Sequence, residues 1–273
     1  MCRWLAYSGA PILLDEFLFK TDHSLIDQSL RALDTTNTTN GDGFGIGWYG
    51  NRDFPGVYKD IRPAWNDSNL QALAAQIESP MFLAHVRATT GSPVQMTNCH
   101  PFNHQKWLFV HNGLVNDYER LRRDLAFAVA PEFFPFIRGT TDSELMFLLA
   151  LSFGLDSDVL TGVSRMAGLI EHIADQHGVE DALQMTLGVG NGESLYAVRY
   201  STVGKSRSLF YSASRNAAME IAPGVGKLST DARAIVSEPL SALRAEWVPI
   251  PEASFLTITK GEISCKPFAP IPP

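Results

Sequence analysis

The second residue of the chain carries the side chain with the clearest chemical potential. Removal of Met1 would make Cys2 the amino-terminal residue, with a thiol and a free α-amine on one carbon skeleton. An α-amine has a pKa of about 7.7 to 8.0, so at neutral pH part of it is unprotonated and can take the thiol proton. Cys2 could therefore act as a nucleophile with its own base. A small buried cysteine in a first strand is the structural alternative.

Several other polar groups follow apolar strands or begin a helix, where a fold can direct them into one cleft. They are Arg87, Thr90, Asn98, His100, His111, Asn112, Gly113 and Asp142. The charges of Arg87 and Asp142 suit the carboxylate and ammonium of a free amino-acid head group. The Asn112 amide and the Gly113 backbone N–H suit a tetrahedral oxyanion. Together with Cys2, these groups predict hydrolysis of a γ-glutamyl amide through a thioester.

The first half of the chain reads as strands and a capped helix that would hold these groups. Ser24, with Asp27 three residues later, predicts a helix start. Glycines alternate through residues 41–47, which predicts a strand whose backbone passes close to another segment, most simply the first strand. The apolar run 81–87 predicts a buried strand that delivers Arg87 into a loop, where its charge requires an anion or water.

The second half contains further helix starts and then a series of short strands. Asn116 is expected to cap one helix, and Thr141 with Glu144 has the sequence of a capping box. An amphipathic helix is predicted from about residue 156 to residue 177. Hairpin signals in the strand-rich tail stand at Asn191-Gly192 and Lys260-Gly261.

This order of elements predicts an α+β fold with two antiparallel sheets and helices outside them. Repeats, low-complexity segments and flexible linkers are absent from the sequence, so residues 1–273 are expected to form a single domain.

Composition excludes several classes of partner. The 273 residues carry a net charge of −7, and the pI is near 5.5, which argues against a nucleic-acid partner because a phosphate backbone requires concentrated Lys and Arg. The amino-terminal stretch has no signal-peptide or membrane-span pattern, so no membrane partner and a cytoplasmic location are expected. Three cysteines without CxxC spacing fit a reducing compartment.

Other interpretations of the same residues stay open at the level of sequence. A metal or thiol hydrolase could use four residues close in sequence, Cys99, His100, His104 and His111. Their spacing on a proline-containing loop does not match a helical zinc motif, so no metal and no cofactor are expected. His85 and His111 could instead make structural hydrogen bonds at strand ends, and Asp142 could simply complement a helix dipole. A non-enzymatic binding module, in which Cys2 is dispensable, is a further alternative.

An ordered set of motifs gives the chain a family resemblance. The motifs are Met1-Cys2-Arg3, Asn40-Gly41-Asp42-Gly43-Phe44-Gly45, Ala84-His85-Val86-Arg87-Ala88, Asn98-Cys99-His100-Pro101-Phe102, His111-Asn112-Gly113 and Thr141-Asp142-Ser143-Glu144. In this order they resemble the signature of class-II glutamine amidotransferases, which are N-terminal-nucleophile hydrolases with a four-layer αββα fold. Three more segments extend the resemblance to a subgroup that includes the amidotransferase-like subunit of fungal glutathione degradation and the bacterial γ-glutamyl hydrolase of ergothioneine biosynthesis. These segments are His23-Ser24, Pro63-Ala64-Trp65-Asn66 and Ser237-Glu238-Pro239-Leu240.

The resemblance implies a role for each candidate residue. Cys2 is the expected nucleophile, and Asn112 with Gly113 is the expected oxyanion hole. The expected substrate-binding residues are Arg87 for the α-carboxylate, Asp142 for the α-amine, Thr90 beside the carboxylate, and His111.

The resemblance also bears on partners and processing. Classical members carry a second domain that consumes ammonia, and the residues after position 150 are too few for one. The expected protein is therefore a stand-alone γ-glutamyl amidohydrolase, or a glutaminase-type subunit that passes ammonia or a γ-glutamyl group to a partner chain, and a homo-oligomer is also compatible. A chain that retained Met1 would lack its base and is expected to be inactive.

Overall fold

The structure is a computed structural model that describes residues 2–32, 39–89, 91–213, 229–241 and 247–273. The strands are β1 Arg3–Leu13, β2 Phe44–Trp48, β3 Gly56–Asp60, β4 Glu78–Val86, β5 Phe102–His104, β6 Trp107–Val115, β7 Leu183–Gly190, β8 Ser194–Ser201, β9 Phe210–Ser212, β10 Arg233–Val236, β11 Trp247–Pro249, β12 Ser254–Thr259 and β13 Glu262–Pro267. The α-helices are α1 Asp15–Leu18, α2 Leu25–Leu30, α3 Ser68–Ala74, α4 Tyr118–Phe127, α5 Asp142–Ser152 and α6 Val159–Gln176. Short 3-10 turns lie at Ala64–Asn66, Met96–Asn98 and Phe134–Phe136.

The strands form two antiparallel sheets. Within the described residues, the first sheet has the order β11-β9-β10-β1-β4-β2-β3 and the second has the order β13-β12-β8-β7-β6-β5. Strand β1 therefore lies inside the first sheet, between β10 and β4. Strand β6 lies between β5 and β7 in the second sheet.

Three apolar clusters lie between the four layers of the molecule. One cluster packs α1, α2 and α3 on the outer face of the first sheet, and another packs α4, α5 and α6 on the outer face of the second. The third fills the space between the sheets. This arrangement confirms the predicted α+β, four-layer αββα sandwich.

The side chains of β1 alternate between the two faces of the first sheet, and this alternation fixes the face on which Cys2 lies. Leu5 and Tyr7 point to the outer helices, whereas Trp4 and Ala6 point into the layer between the sheets. Side chains two residues apart share a face of a strand, so Cys2 continues the inward row of Trp4. The Cys2 side chain is thus directed at the second sheet.

The predicted caps at Ser24 and Thr141 are confirmed, with two corrections. Ser24 caps α2 in a full capping box with Asp27. Thr141 caps α5, although the Glu144 carboxylate bonds backbone N–H groups before the helix rather than closing the box. The predicted cap at Asn116 is wrong. Helix α4 begins after Asp117, which is in the left-handed conformation and makes no side-chain cap.

The glycine-rich strand β2 has different neighbours from those expected. It pairs with β3 and β4, not with β1. A Cβ on Gly43 would lie 2.6 Å from the Cys99 sulfur, and one on Gly45 would lie 2.1 Å from the His100 carbonyl oxygen. The close approach is therefore to the segment that leads into β5, and the predicted contact with the first strand is wrong. Both predicted hairpins are present, between β7 and β8 and between β12 and β13.

Candidate active site

Cys2 comes directly before β1 and is partly buried between the two sheets. Its sulfur is 3.5 Å from the carbonyl oxygen of Ala88. Burial raises the pKa of the Cys2 thiol, the nearby Arg87 guanidinium opposes this rise, and Asp142 adds to it. The thiol is therefore protonated at neutral pH and needs a base to become a nucleophile.

A buried ion pair holds the backbone of Cys2. The Arg3 guanidinium donates to the carbonyl oxygen of Cys2 over 2.9 Å and through Nε to Glu238 over 2.6 Å. A second guanidinium nitrogen also bonds this carboxylate, and His23 Nε2 lies 3.2 Å from its other oxygen. Arg3 and Glu238 are only 3% and 2% exposed, so the pair is held in a fixed geometry that fixes the first peptide of the active site.

Arg87 presents a buried guanidinium with only neutral partners. It follows β4 and is 3% exposed. Its Nη2 donates to Ser92 Oγ over 2.6 Å and to Thr89 Oγ1 over 3.4 Å, and its Nη1 donates to the Asp42 carbonyl oxygen over 3.3 Å. No carboxylate pairs with Arg87 in the part of the chain that the structure describes. A buried cation without a counter-ion is a ready site for a substrate carboxylate.

Asp142 stands half-buried in the first turn of α5. Its Oδ2 accepts from the Val115 backbone N–H over 2.8 Å, and its Oδ1 accepts from the Ser143 backbone N–H over 2.7 Å. The carboxylate thus joins the end of β6 to the start of α5 and does more than complement a helix dipole. Asn98 fixes the approach to this turn, since its amide bonds both the backbone N–H and the hydroxyl of Thr140.

Asn112 and Gly113 lie in β6 of the opposite sheet. The neighbours Leu108 and Val110 face the first sheet, so Asn112 has its side chain in the same layer as Cys2. A Cβ on Gly113 would lie 1.9 Å from the Gln184 carbonyl oxygen, so only glycine fits there. The Asn112 side chain therefore lies on the face of β6 that looks toward the first sheet.

Two hydrogen-bonded links, one of them through Thr186 of β7, connect the first sheet to β6. Trp4 Nε1 donates to Thr186 Oγ1 over 3.2 Å, and this hydroxyl is 3.2 Å from the Asn112 carbonyl oxygen. His85 Nε2 lies 3.2 Å from the His111 carbonyl oxygen. Burial lowers the pKa of His85 to about 3, so the ring is neutral and Nε2 carries the proton of this bond. The two halves of the site are thereby held at a fixed separation.

The remaining histidines do not form a common site with Cys99. His111 faces α5, with Nδ1 2.8 Å from Ser143 Oγ, and its direct contact with substrate stays a prediction. The His100 ring stacks on His85 with centroids 4.1 Å apart, and His104 contacts Phe133 and Phe136. The described residues contain no group of three or more His, Cys, Asp or Glu placed to hold a metal ion.

Two expectations lie outside the described residues, namely the position of Thr90 and the retention of Met1.

Two functional contacts carry little or no signal in the sequence. Glu238 stands out only through the motif Ser237-Glu238-Pro239-Leu240, and its ion pair with Arg3 spans almost the whole chain. Thr186 has no signal at all, because a threonine in a strand is ordinary.

A cavity of about 550 Å³ lies beside this site, at the edge where β3, β5 and α5 meet. Its lining includes Lys59, Phe102, Arg138 and Glu144, and Cys2 is not part of it. The Lys59 ammonium is 5.2 Å from the centroid of the Phe102 ring, and burial lowers its pKa to about 8. The side chains of Cys2, Arg87 and Asn112 lie in the layer between the sheets and do not line this cavity.

Comparison with known proteins gives a consistent family. A family model described as class-II glutamine amidotransferases matches residues 17–270. The probable glutamine amidotransferase DUG3 of Saccharomyces cerevisiae is 33% identical over 98% of this chain and 84% of its own. A γ-glutamyl-hercynylcysteine sulfoxide hydrolase of Mycolicibacterium smegmatis is 31% identical over 58% of this chain and 65% of its own.

Solved structures agree with the sequence comparison. A glutamine aminotransferase class-II domain protein from Silicibacter pomeroyi superposes with a TM-score of 0.77 at 32% identity, over 99% of this chain and all of that one. Glutamine phosphoribosylpyrophosphate amidotransferase of B. subtilis shares the fold alone, with a TM-score of 0.65 at 12% identity over 98% of this chain and 49% of its own. The matched family, the full-length similarity and the αββα sandwich together establish that this chain belongs to the class-II glutamine amidotransferases.

Proposed function

We propose that the protein hydrolyses a γ-glutamyl amide through a thioester on Cys2. The observation that carries the proposal is the register of the first sheet. Arg3 pairs with Val86 across β1 and β4, so Cys2 and Arg87 are opposite each other, about 5 Å apart, on the face that looks toward Asn112. A thiol, an unneutralised guanidinium and an amide donor thus share one layer.

The substrate head group would be held by the two charges of opposite sign. Arg87 would bind the α-carboxylate, in place of the neutral hydroxyl and carbonyl groups that are its partners now. Asp142 would bind the α-ammonium with the carboxylate lone pairs that Val115 and Ser143 leave available. Recognition at the acyl end is then independent of the amine that leaves.

Because the pKa of the Cys2 thiol is raised, the covalent step requires a base that removes the thiol proton. The free α-amine of Cys2 takes the thiol proton while the sulfur attacks the γ-carbonyl carbon, and the oxyanion is bound by the Asn112 amide and the Gly113 N–H. The oxyanion collapses, the C–N bond breaks, and the leaving amine receives the proton from the α-ammonium of Cys2. Water, deprotonated by the same amine, then attacks the thioester and releases glutamate and the thiol.

A substrate panel with matched cysteine variants tests this function. Protein with Met1 removed should release glutamate from glutamine or from other γ-glutamyl amides, and Cys2→Ala should abolish release while leaving the unfolding transition unchanged. Cys265→Ala is the control, because that thiol is exposed and far along the chain, and it should keep full activity. An active Cys2→Ala protein would refute the mechanism.

The same preparation tests the role of the free amine. A form with extra residues before Cys2 should be inactive, and removal of those residues with a protease should restore activity. Full turnover by the extended form would show that the α-amine is not the base.

A second candidate function is delivery of ammonia or a γ-glutamyl group to a partner chain. The matched family model describes glutamine amidotransferases, and an amidotransferase passes ammonia to an acceptor, so an acceptor site on another chain is consistent with the family. Under this candidate, glutamine hydrolysis by the isolated protein would be slow and a partner would accelerate it. Under the first, hydrolysis is complete without a partner.

We also propose that residues 1–273 act as a single domain in the cytoplasm. The three cysteines are all free thiols in the structure, as a reducing compartment favours. No helix of the described ranges is long and apolar enough to cross a membrane.

A further inference from the structure

A second arginine, Arg207, lies in the same row of the first sheet as Cys2. Leu5 pairs with Val236, and Val236 pairs with Phe210. Continuation of this register by three residues beyond the ends of β9 and β10 would place Cys2, Pro239 and Arg207 in one row.

Trp4 and Ser237 continue this register by one residue beyond β10, and the segment before β9 stays hydrogen-bonded to Ser237. The Ser237 backbone N–H donates to the Trp4 carbonyl oxygen over 3.0 Å, and the Trp4 N–H donates to Ser237 Oγ over 3.0 Å. Ser208 Oγ donates to the Ser237 carbonyl oxygen over 3.1 Å. Residues opposite each other share a face of a sheet, so Arg207 faces the same layer as Cys2.

One nitrogen of the Arg207 guanidinium lacks a partner among the residues that the structure describes. Its Nε is buried without a hydrogen-bond partner, and none of the described residues forms an ion pair with it. Arg3 differs in this respect, because its charge is matched by Glu238. Burial lowers the pKa of Arg207, the Arg3 charge adds to this, and the Cys2 thiolate would oppose it. A partly buried cation without a counter-ion is stabilised by any anion that can reach it.

Cys2 therefore lies between two arginines. Arg87 is one strand away on one side, about 5 Å, and Arg207 is two strands away on the other, about 10 Å. With the glutamyl group held at Arg87, the leaving amine would extend toward Arg207. A leaving group of one or two amino-acid residues spans about 3.5 to 7 Å, and the arginine side chain covers the remaining gap.

We propose that Arg207 binds a carboxylate on the amine half of the substrate, and that the preferred substrates are γ-glutamyl amides of amino acids or short peptides rather than glutamine. This inference rests on the proposed γ-glutamyl hydrolysis. It adds a leaving-group site, formed by the segment before β9, to the glutamyl site formed by Arg87 and Asp142.

Three substrates that differ only beyond the scissile bond provide the test. They are γ-glutamyl-alanine, γ-glutamyl-alanine amide and glutamine. The wild-type kcat/KM should be highest for the acid and should fall about 10- to 100-fold for its amide, the range expected for loss of one charged hydrogen bond. Arg207→Gln should lower kcat/KM for the acid by the same factor and should leave the amide and glutamine within about two-fold.

Arg233→Gln is the matched control. Arg233 lies in the same sheet at the far end of β10, opposite Ser8, and its Nε is likewise buried without a partner. This variant should leave all three kcat/KM values unchanged. Arg207→Glu should reverse the preference, so that γ-glutamyl-1,4-diaminobutane is cleaved faster than γ-glutamyl-alanine.

The outcomes separate this inference from the proposed function. A wild-type enzyme that cleaves the acid and its amide equally well would overturn the Arg207 site while leaving γ-glutamyl hydrolysis intact, and this comparison needs no variant to fold. An equal loss on all three substrates in Arg207→Gln would show a structural role and would also overturn it. Failure of the wild-type protein to cleave any of the three would refute the proposed function itself.

Discussion

Replacement of Glu238 with glutamine should lower both the stability of the protein and its kcat. Glu238 is 2% exposed and its partner Arg3 is 3% exposed. Removal of one member of a buried ion pair costs about 3 to 5 kcal/mol, because the other charge stays buried and loses that partner. Glutamine keeps the shape and one acceptor oxygen, so the lower end, about 3 kcal/mol, is expected. Because 1 kcal/mol corresponds to about 2 to 4 °C in a chain of this size, Tm should fall by about 6 to 12 °C.

The assay measures the thermal and urea unfolding of Glu238→Gln and compares it with a variant of an exposed ion pair. Asp117→Asn removes a charge from the exposed pair with Arg120, whose side chains are 52% and 55% exposed, and should cost less than about 1 kcal/mol. Since Arg3 also holds the Cys2 carbonyl oxygen, Glu238→Gln should lower kcat more than it raises KM. A loss of stability no larger than that of Asp117→Asn would refute the assignment of the Arg3–Glu238 pair as the anchor of the nucleophile.

Three further changes have expected outcomes. Asn112→Ala should lower kcat by about 100- to 1000-fold, as loss of one oxyanion donor does, with little change in KM measured by steady-state kinetics. Gly113→Ala should both destabilise the fold and remove activity, because the new Cβ would meet the Gln184 carbonyl oxygen at 1.9 Å, whereas Gly50→Ala, where nothing lies within 4 Å, should behave as wild type in the same unfolding and activity assays. For Lys59, whose pKa burial lowers from 10.5 to about 8, the unfolded chain binds the extra proton between these values. The free energy of unfolding of wild type relative to Lys59→Met should therefore rise as pH increases from about 8 to about 10.5, and a flat difference in urea unfolding across that range would contradict the burial of the ammonium.

Local signals in the sequence were sufficient for much of the fold. The Ser24 cap, the buried strand that ends before Arg87, and the hairpin turn at Asn191-Gly192 all depend on residues a few positions apart, and all are confirmed. Such features are governed by backbone preferences and side-chain periodicity that neighbouring residues reveal. The αββα arrangement followed from the order of these elements and from the family resemblance.

Contacts between distant segments could not be predicted in the same way. The alternating glycines indicated a close approach, but the choice of the Cys99–His100 segment as neighbour depends on sheet order, which local sequence does not specify. Arg207 illustrates the same limit, because its alignment with Cys2 appears only when the registers of β1, β10 and β9 are combined. The predicted cap at Asn116 is wrong because Asp117, at the helix start, adopts a left-handed conformation that asparagine and aspartate tolerate.

Trapping of the acyl-enzyme would show whether Cys2 is the nucleophile. Protein with Met1 removed would be mixed with a γ-glutamyl substrate, quenched in acid during turnover, digested and analysed by mass spectrometry. We expect a γ-glutamyl adduct on the peptide that begins with Cys2, absent from Cys2→Ala protein. Turnover with the adduct on Cys99, or continued turnover by the Cys2→Ala protein, would contradict the account.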